Sequence, residues 1–201
     1  VSTRGMEGSF SAAEAIVKGI ADDKGLFVPT KIPALSVNFD ELAKMSYQQI
    51  AKLVIGSFFS DFTDEEIDYC VDNAYDEKFE VPEIAKITKA GGASFLELYH
   101  GKTAAFKDMA LSILPYLMTT SMKKLGVDKK VCILTATSGD TGKAALEGFA
   151  DVENTEIIVF YPKDGVSEVQ RRQMVTQEGK NVHIYAIEGN FDDAQTGVKK
   201  L

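Results

Sequence analysis

The chain has 201 residues, 45% of them apolar and 26% charged, and a formal net charge of -8. That balance is the one of a folded globular protein with a sizeable core, and it excludes a disordered chain. The negative charge argues against a nucleic-acid partner, whose phosphates need a basic surface, and no apolar run approaches the ~18 residues of a membrane span.

Taken in chain order, Ser11-x-x-Glu14 has the spacing of a capping box and predicts a helix through Ile16, Val17 and Ile20. Asp22-Asp23-Lys24-Gly25 predicts a turn, followed by the extended Leu26-Phe27-Val28-Pro29. A second helix is expected from near Asp40, carrying Leu42, Met45, Ile50, Leu53 and Val54. A third is expected from Thr63-x-x-Glu66, carrying Ile67 and Val71 on one face. Residues 1–83 thus read as a mostly helical segment whose apolar stripes are core faces.

From about residue 84 the pattern changes to short apolar runs alternating with helical ones. They fall at residues 94–99, 106–125, 131–135, 141–150, 157–161, 167–177 and 182–187, with a last helix from near Phe191. Strand alternating with helix predicts an α/β region over residues 84–201, built on an open, mainly parallel sheet. Gly126 suits the residue after a helix end, Ser167-x-x-Gln170 is another capping box, and Pro115 should kink the long helix expected around it or sit where a neighbour fills the gap. The sequence ends at Val198-Lys199-Lys200-Leu201, some ten residues into a helical pattern, so the expectation is a sheet cut short.

Cys70 and Cys132 sit in apolar surroundings without CxxC spacing, and His100 and His183 lie far apart. These predict buried free thiols, no metal cluster and a reducing cytoplasmic setting. Val1-Ser2-Thr3-Arg4-Gly5 has neither the basic nor the apolar region of a signal peptide.

Two segments carry chemistry. In the first, the apolar strand around Val131 runs into Thr135-Ala136-Thr137-Ser138-Gly139-Asp140-Thr141-Gly142-Lys143, which opens a helix. Gly139 and Gly142 let backbone N–H groups approach an anion, and Thr137, Ser138 and Thr141 add hydroxyls. A carboxylate or phosphate cradle and a simple helix cap fit this loop equally well. A P-loop does not fit, because only two residues separate the glycines and Ala144 follows Lys143; the GxGxxG pattern is also absent. In the second, Glu97-Leu98-Tyr99-His100-Gly101-Lys102-Thr103-Ala104-Ala105-Phe106-Lys107-Asp108 passes from strand through a glycine turn to a helix. Apolar neighbours around Lys107 would favour its neutral amine, the form that condenses with an aldehyde to a Schiff base. An ordinary surface lysine is the competing reading.

The second segment resembles the pyridoxal-phosphate lysine segment of the threonine synthases, and Thr135–Gly142 resembles that family's substrate loop. Ser2-Thr3-Arg4-Gly5, Tyr161-Pro162-Lys163-Asp164-Gly165-Val166-Ser167 and Gly189-Asn190-Phe191-Asp192-Asp193-Ala194-Gln195 agree with the family in the same order. Two departures accompany the resemblance. Lys102 stands where many relatives have Pro, and Asp140 stands where the wider fold-type II enzymes place Asn against the cofactor's 3-oxygen.

The resemblance implies a fold-type II pyridoxal 5'-phosphate enzyme, a lyase that converts O-phospho-L-homoserine and water to L-threonine and phosphate. Lys107 would be the catalytic residue and, with Phe106 and Asp140, would bind the cofactor. Thr137, Ser138, Gly139, Asp140 and Thr141 would bind the substrate. It assigns no role to Arg4, Lys163 or Asn190. Because that fold takes its cofactor-phosphate cradle from the C-terminal half, these 201 residues alone are expected to be inactive. Another fold-type II enzyme, such as a serine or threonine dehydratase, and a non-catalytic phosphate-binding relative are the alternatives.

Overall fold

Reciprocal side-chain caps set most of the helix starts. In the computed structural model, which describes residues 1–200, Ser11, Asn38, Ser46, Thr63 and Ser167 each accept from the third residue of their helix, which answers with its own side chain. Such caps satisfy two of the N–H groups that a helix start leaves open.

The described residues divide into two compact units, Val1–Glu77 with Tyr116–Asp128, and Lys78–Pro115 with the residues from Lys129 onward. The first unit is helical: α1 (Ala12–Lys18), α2 (Phe39–Leu42), α3 (Tyr47–Phe58) and α4 (Asp64–Ala74), with most of α6 (Leu114–Leu125). The single helix expected from Asp40 is in fact α2 and α3, because Ser46-x-x-Gln49 caps a new start after Met45. Helix α4 buries Ile67, Cys70, Val71 and Ala74 on one face. Cys70 lies 3.5 Å from Thr120 Oγ1, and Lys124 reaches Glu66 at 2.8 Å. Asp61 closes the start of α1 by accepting from the N–H groups of Ala12 and Ala13 at 3.1 and 3.0 Å.

The second unit opens with an antiparallel hairpin, β1 (Ile87–Ala90) and β2 (Ala93–Leu96), turned at Gly91 and Gly92, both at positive φ. The strand expected over 94–99 is therefore half of a hairpin, separate from the parallel sheet. The long helix expected over 106–125 is broken into α5 (Asp108–Leu111) and α6. Pro115 falls in the first turn of α6, where its missing N–H has no helical partner to lose. Gly126 ends α6 at φ +63, with the Val127 N–H reaching back to the Met122 carbonyl at 2.9 Å.

The sheet is parallel, in the order β3 (Val131–Ala136), β4 (Thr155–Pro162), β5 (Val182–Ile187). Helix α7 (Asp140–Phe149) connects β3 to β4 and α8 (Glu168–Val175) connects β4 to β5, while α9 (Phe191–Lys200) follows β5. Alternation along β4 buries Ile157, Val159 and Tyr161 on one face. With Leu146 and Phe149 of α7, both fully buried, they form this unit's core; each such side chain contributes roughly 1.5–3 kcal/mol.

The other face is more open, and it corrects one expectation. Cys132 pairs in register with Glu156 on that face and is exposed, whereas Cys70 is buried as predicted. Glu156 also takes Lys130 at 2.7 Å and His183 at 2.9 Å, so this edge is polar despite the apolar run in the sequence.

Candidate active site

The loop between β3 and α7 is braced from within. Thr137, 2% exposed, directs Oγ1 inward to accept from the N–H groups of Gly139 at 3.0 Å and Gly142 at 2.9 Å. Gly139 is the N-cap residue at φ +147, a conformation L side chains rarely adopt, and it supplies no side-chain cap. Among the described residues, the side chain that closes the start of α7 is that of Thr137. Ser138 and Asp140 are exposed, and Thr141 is half-buried. Lys143 points away from the loop, towards Glu147 at 3.1 Å and Gln177.

A contact that the sequence reading missed lies across this loop. The Gln170 side-chain amide donates to Asp140 Oδ1 at 2.5 Å. In the sequence Gln170 is legible only as the reciprocal member of the α8 capping box; nothing in residues 140 and 170 taken separately announces that they meet.

The Lys107 segment is held by a second internal clamp. Asp108, 4% exposed, accepts from the Thr103 N–H at 2.8 Å and from the Thr103 hydroxyl at 2.6 Å. Gly101 sits against this clamp, where an added Cβ would lie 2.6 Å from Asp108 Cβ. The turn 101–107 is thus drawn tight, and Lys107 leads directly into α5. Lys107 is half-buried, with its Nζ 4.4 Å from the Phe106 ring centroid, and Phe106 is 54% exposed. The Phe106 ring is thus one apolar neighbour of the Lys107 amine.

Upstream, His100 is buried, its Nε2 2.7 Å from Glu97 Oε2. Glu97 accepts from Thr88 Oγ1 at 2.9 Å through its other oxygen. The bond to His100, followed by that to Thr88, holds the Glu97 carboxyl below the usual carboxylate range. Among the described residues His100 Nδ1 has no hydrogen-bond partner; a Glu80 carboxylate oxygen is 3.6 Å away. These contacts tie the hairpin to the Lys107 segment within one unit.

Helix α5 packs against α7 in the same unit, with Gly148 placed where a Cβ would collide with the Leu111 carbonyl oxygen. The two sequence-predicted segments thus stand on adjacent helices. Of the other residues singled out, Asn190 exchanges hydrogen bonds with Asp193 at the start of α9, Lys163 pairs with Glu188 at 2.8 Å, and Arg4 donates to the Asp23 carbonyl at 3.4 Å. Among the described residues no cluster of His, Cys, Asp and Glu could hold a metal ion, and no helix is long and apolar enough to cross a membrane.

Residues 1–75 match the family described as "Threonine synthase N terminus". Over 99% of its length the chain is 39% identical to the threonine synthase of Pseudomonas aeruginosa, of which it spans 42%. It superposes on the PLP-bound threonine synthase of Brucella melitensis with a TM-score of 0.86 and 35% identity, covering all of this chain and 43% of that one. On the yeast threonine synthase the TM-score is 0.87 at 30% identity, covering 99% of this chain and 42% of the other. The chain thus spans about two-fifths of the length of the relatives it matches. Over its whole length the chain is therefore similar, in sequence and in fold, to the N-terminal portion of threonine synthases.

Proposed function

We propose that this chain contributes the lysine and the substrate loop of a pyridoxal 5'-phosphate lyase that converts O-phospho-L-homoserine and water to L-threonine and phosphate. The observation that carries this reading is the presence, in one unit, of the Lys107 turn and the Thr137-braced loop, within a chain similar throughout to threonine synthases. The residues present suit such a cofactor. Lys107 offers a half-buried primary amine beside an aromatic ring, and the start of α7 offers backbone N–H groups besides the Gly142 N–H that Thr137 holds. When bound, the cofactor supplies an electron sink for charge developing on the substrate.

The rest falls to residues of this chain. Lys107 would hold the cofactor by its amine and, once released, carry protons to and from the α and β carbons of the substrate. Ser138, Gly139, Asp140 and Thr141 would hold the substrate carboxylate and one edge of the cofactor, with Thr137 keeping their N–H groups in place. Phe106 would lie beside the cofactor. Free cysteines suit a reducing cytoplasm.

The test is turnover by the full-length protein. Phosphate and threonine should form together from O-phospho-L-homoserine, and Lys107→Ala should abolish both. Deamination of serine or threonine without turnover of O-phospho-L-homoserine would instead assign a dehydratase.

A further inference from the structure

We propose that Gln170 is a positioning residue for Asp140, orienting its carboxylate towards whatever binds over the loop before α7; this rests on the function proposed above. Three observations converge on it. The Gln170 Oε1 atom is occupied at the start of α8, accepting from the Ser167 hydroxyl at 3.0 Å and the Ser167 N–H at 3.4 Å. That fixes which way round the amide lies, so its Nε2–H₂ end faces Asp140 and donates to Oδ1 at 2.5 Å. Gly139 is fitted to the same side chain, since a Cβ there would collide with the Gln170 amide.

The physical consequence follows from the chemistry of the pair. Asp140 is exposed and stands at the first position of α7, where a short side chain can turn either to solvent or across the loop. A hydrogen bond from a neutral amide to a carboxylate is among the stronger kinds, and it fixes one oxygen while leaving the other free to accept. Because the amide is itself held by the α8 cap, the bond restrains Asp140 with little further loss of side-chain freedom. Gln170 thus acts on the site through another residue, from an element the sequence marks only as a cap.

A double-mutant cycle in the full-length protein tests this, with cofactor affinity read by absorbance as the main observable. Gln170→Met keeps the length of the side chain and removes both the donor to Asp140 and the oxygen that accepts in the α8 cap. It should weaken cofactor binding severalfold, because the lost bond orients Asp140 without itself touching the cofactor. Asp140→Ala should weaken it at least as much, and the double variant should be no weaker than Asp140→Ala alone. Loss of the α8 cap lowers the melting temperature in either case, so affinity decides: a merely structural role for Gln170 would give an effect that multiplies with that of Asp140→Ala. Unchanged affinity in Gln170→Met, or independent effects of the two substitutions, overturns the proposal. If the unmodified protein binds no pyridoxal phosphate, the functional reading itself fails, and that outcome is distinct from a wild-type-like Gln170→Met.

Discussion

Replacing Thr103 by Val removes one hydroxyl from the clamp that precedes Lys107 and leaves the side-chain shape nearly unchanged. Thr103 and Asp108 are 7% and 4% exposed, so water cannot readily replace the lost donor. The hydroxyl lies 2.6 Å from Asp108 Oδ1, and its loss leaves a buried carboxylate oxygen unanswered. Loss of a hydrogen bond to a charged group costs about 1.5–3 kcal/mol. The Thr103 N–H itself donates to the other Asp108 oxygen at 2.8 Å, which makes this amide a reporter of the clamp. Hydrogen exchange of a peptide containing residues 103–107, measured by mass spectrometry, should therefore quicken roughly 10- to 150-fold in Thr103→Val. Thr103→Ser retains the hydroxyl and should stay close to wild type. Exchange within twofold of wild type in Thr103→Val, or equal acceleration in both variants, would refute the clamp.

Two further outcomes follow from the same geometry. Gly142→Ala places a Cβ 2.8 Å from Thr137 Cβ, so the brace must move and both of its hydrogen bonds weaken; urea unfolding followed by circular dichroism should show a loss of about 2–4 kcal/mol. Burial, with a smaller effect of Tyr47, pushes the Tyr75 hydroxyl well above the usual tyrosine range, and Tyr47 is also raised, mainly by burial. The folded chain then holds protons that the unfolded chain releases above about pH 10, so the contribution of these two tyrosines to stability should be flat below that pH and fall above it. Tyr75→Phe should lessen the fall, as read from the melting temperature against pH.

Where the local code was complete, the sequence specified the fold closely. Ser11-x-x-Glu14, Thr63-x-x-Glu66 and Ser167-x-x-Gln170 each open a helix, and Val182–Ile187 is a strand from its first apolar residue to its last. The break between α2 and α3 was signalled as well, by Ser46-x-x-Gln49, but the apolar stripe from Leu42 to Val54 runs on across it. The β1–β2 hairpin lacked a pattern to read, since nearly all its side chains are exposed and no alternation survives. Gly91-Gly92 was its one local mark.

At the candidate site the legible part was chemical identity, and the rest was tertiary. Lys107 and the Ser138–Thr141 stretch stand out by residue type and spacing. That Thr137 turns inward, that Thr103 and Asp108 close on each other, and that Gln170 crosses 30 residues to Asp140 depends on packing that no local window contains. The exposure of Cys132 has the same origin, since an apolar strand does not say which of its faces is covered.

Borohydride reduction of the full-length protein in the presence of pyridoxal phosphate, followed by peptide mass mapping, tests the central claim most directly. The account predicts a pyridoxyl adduct on Lys107, lost in Lys107→Ala. An adduct on another lysine, or none at all, would contradict it.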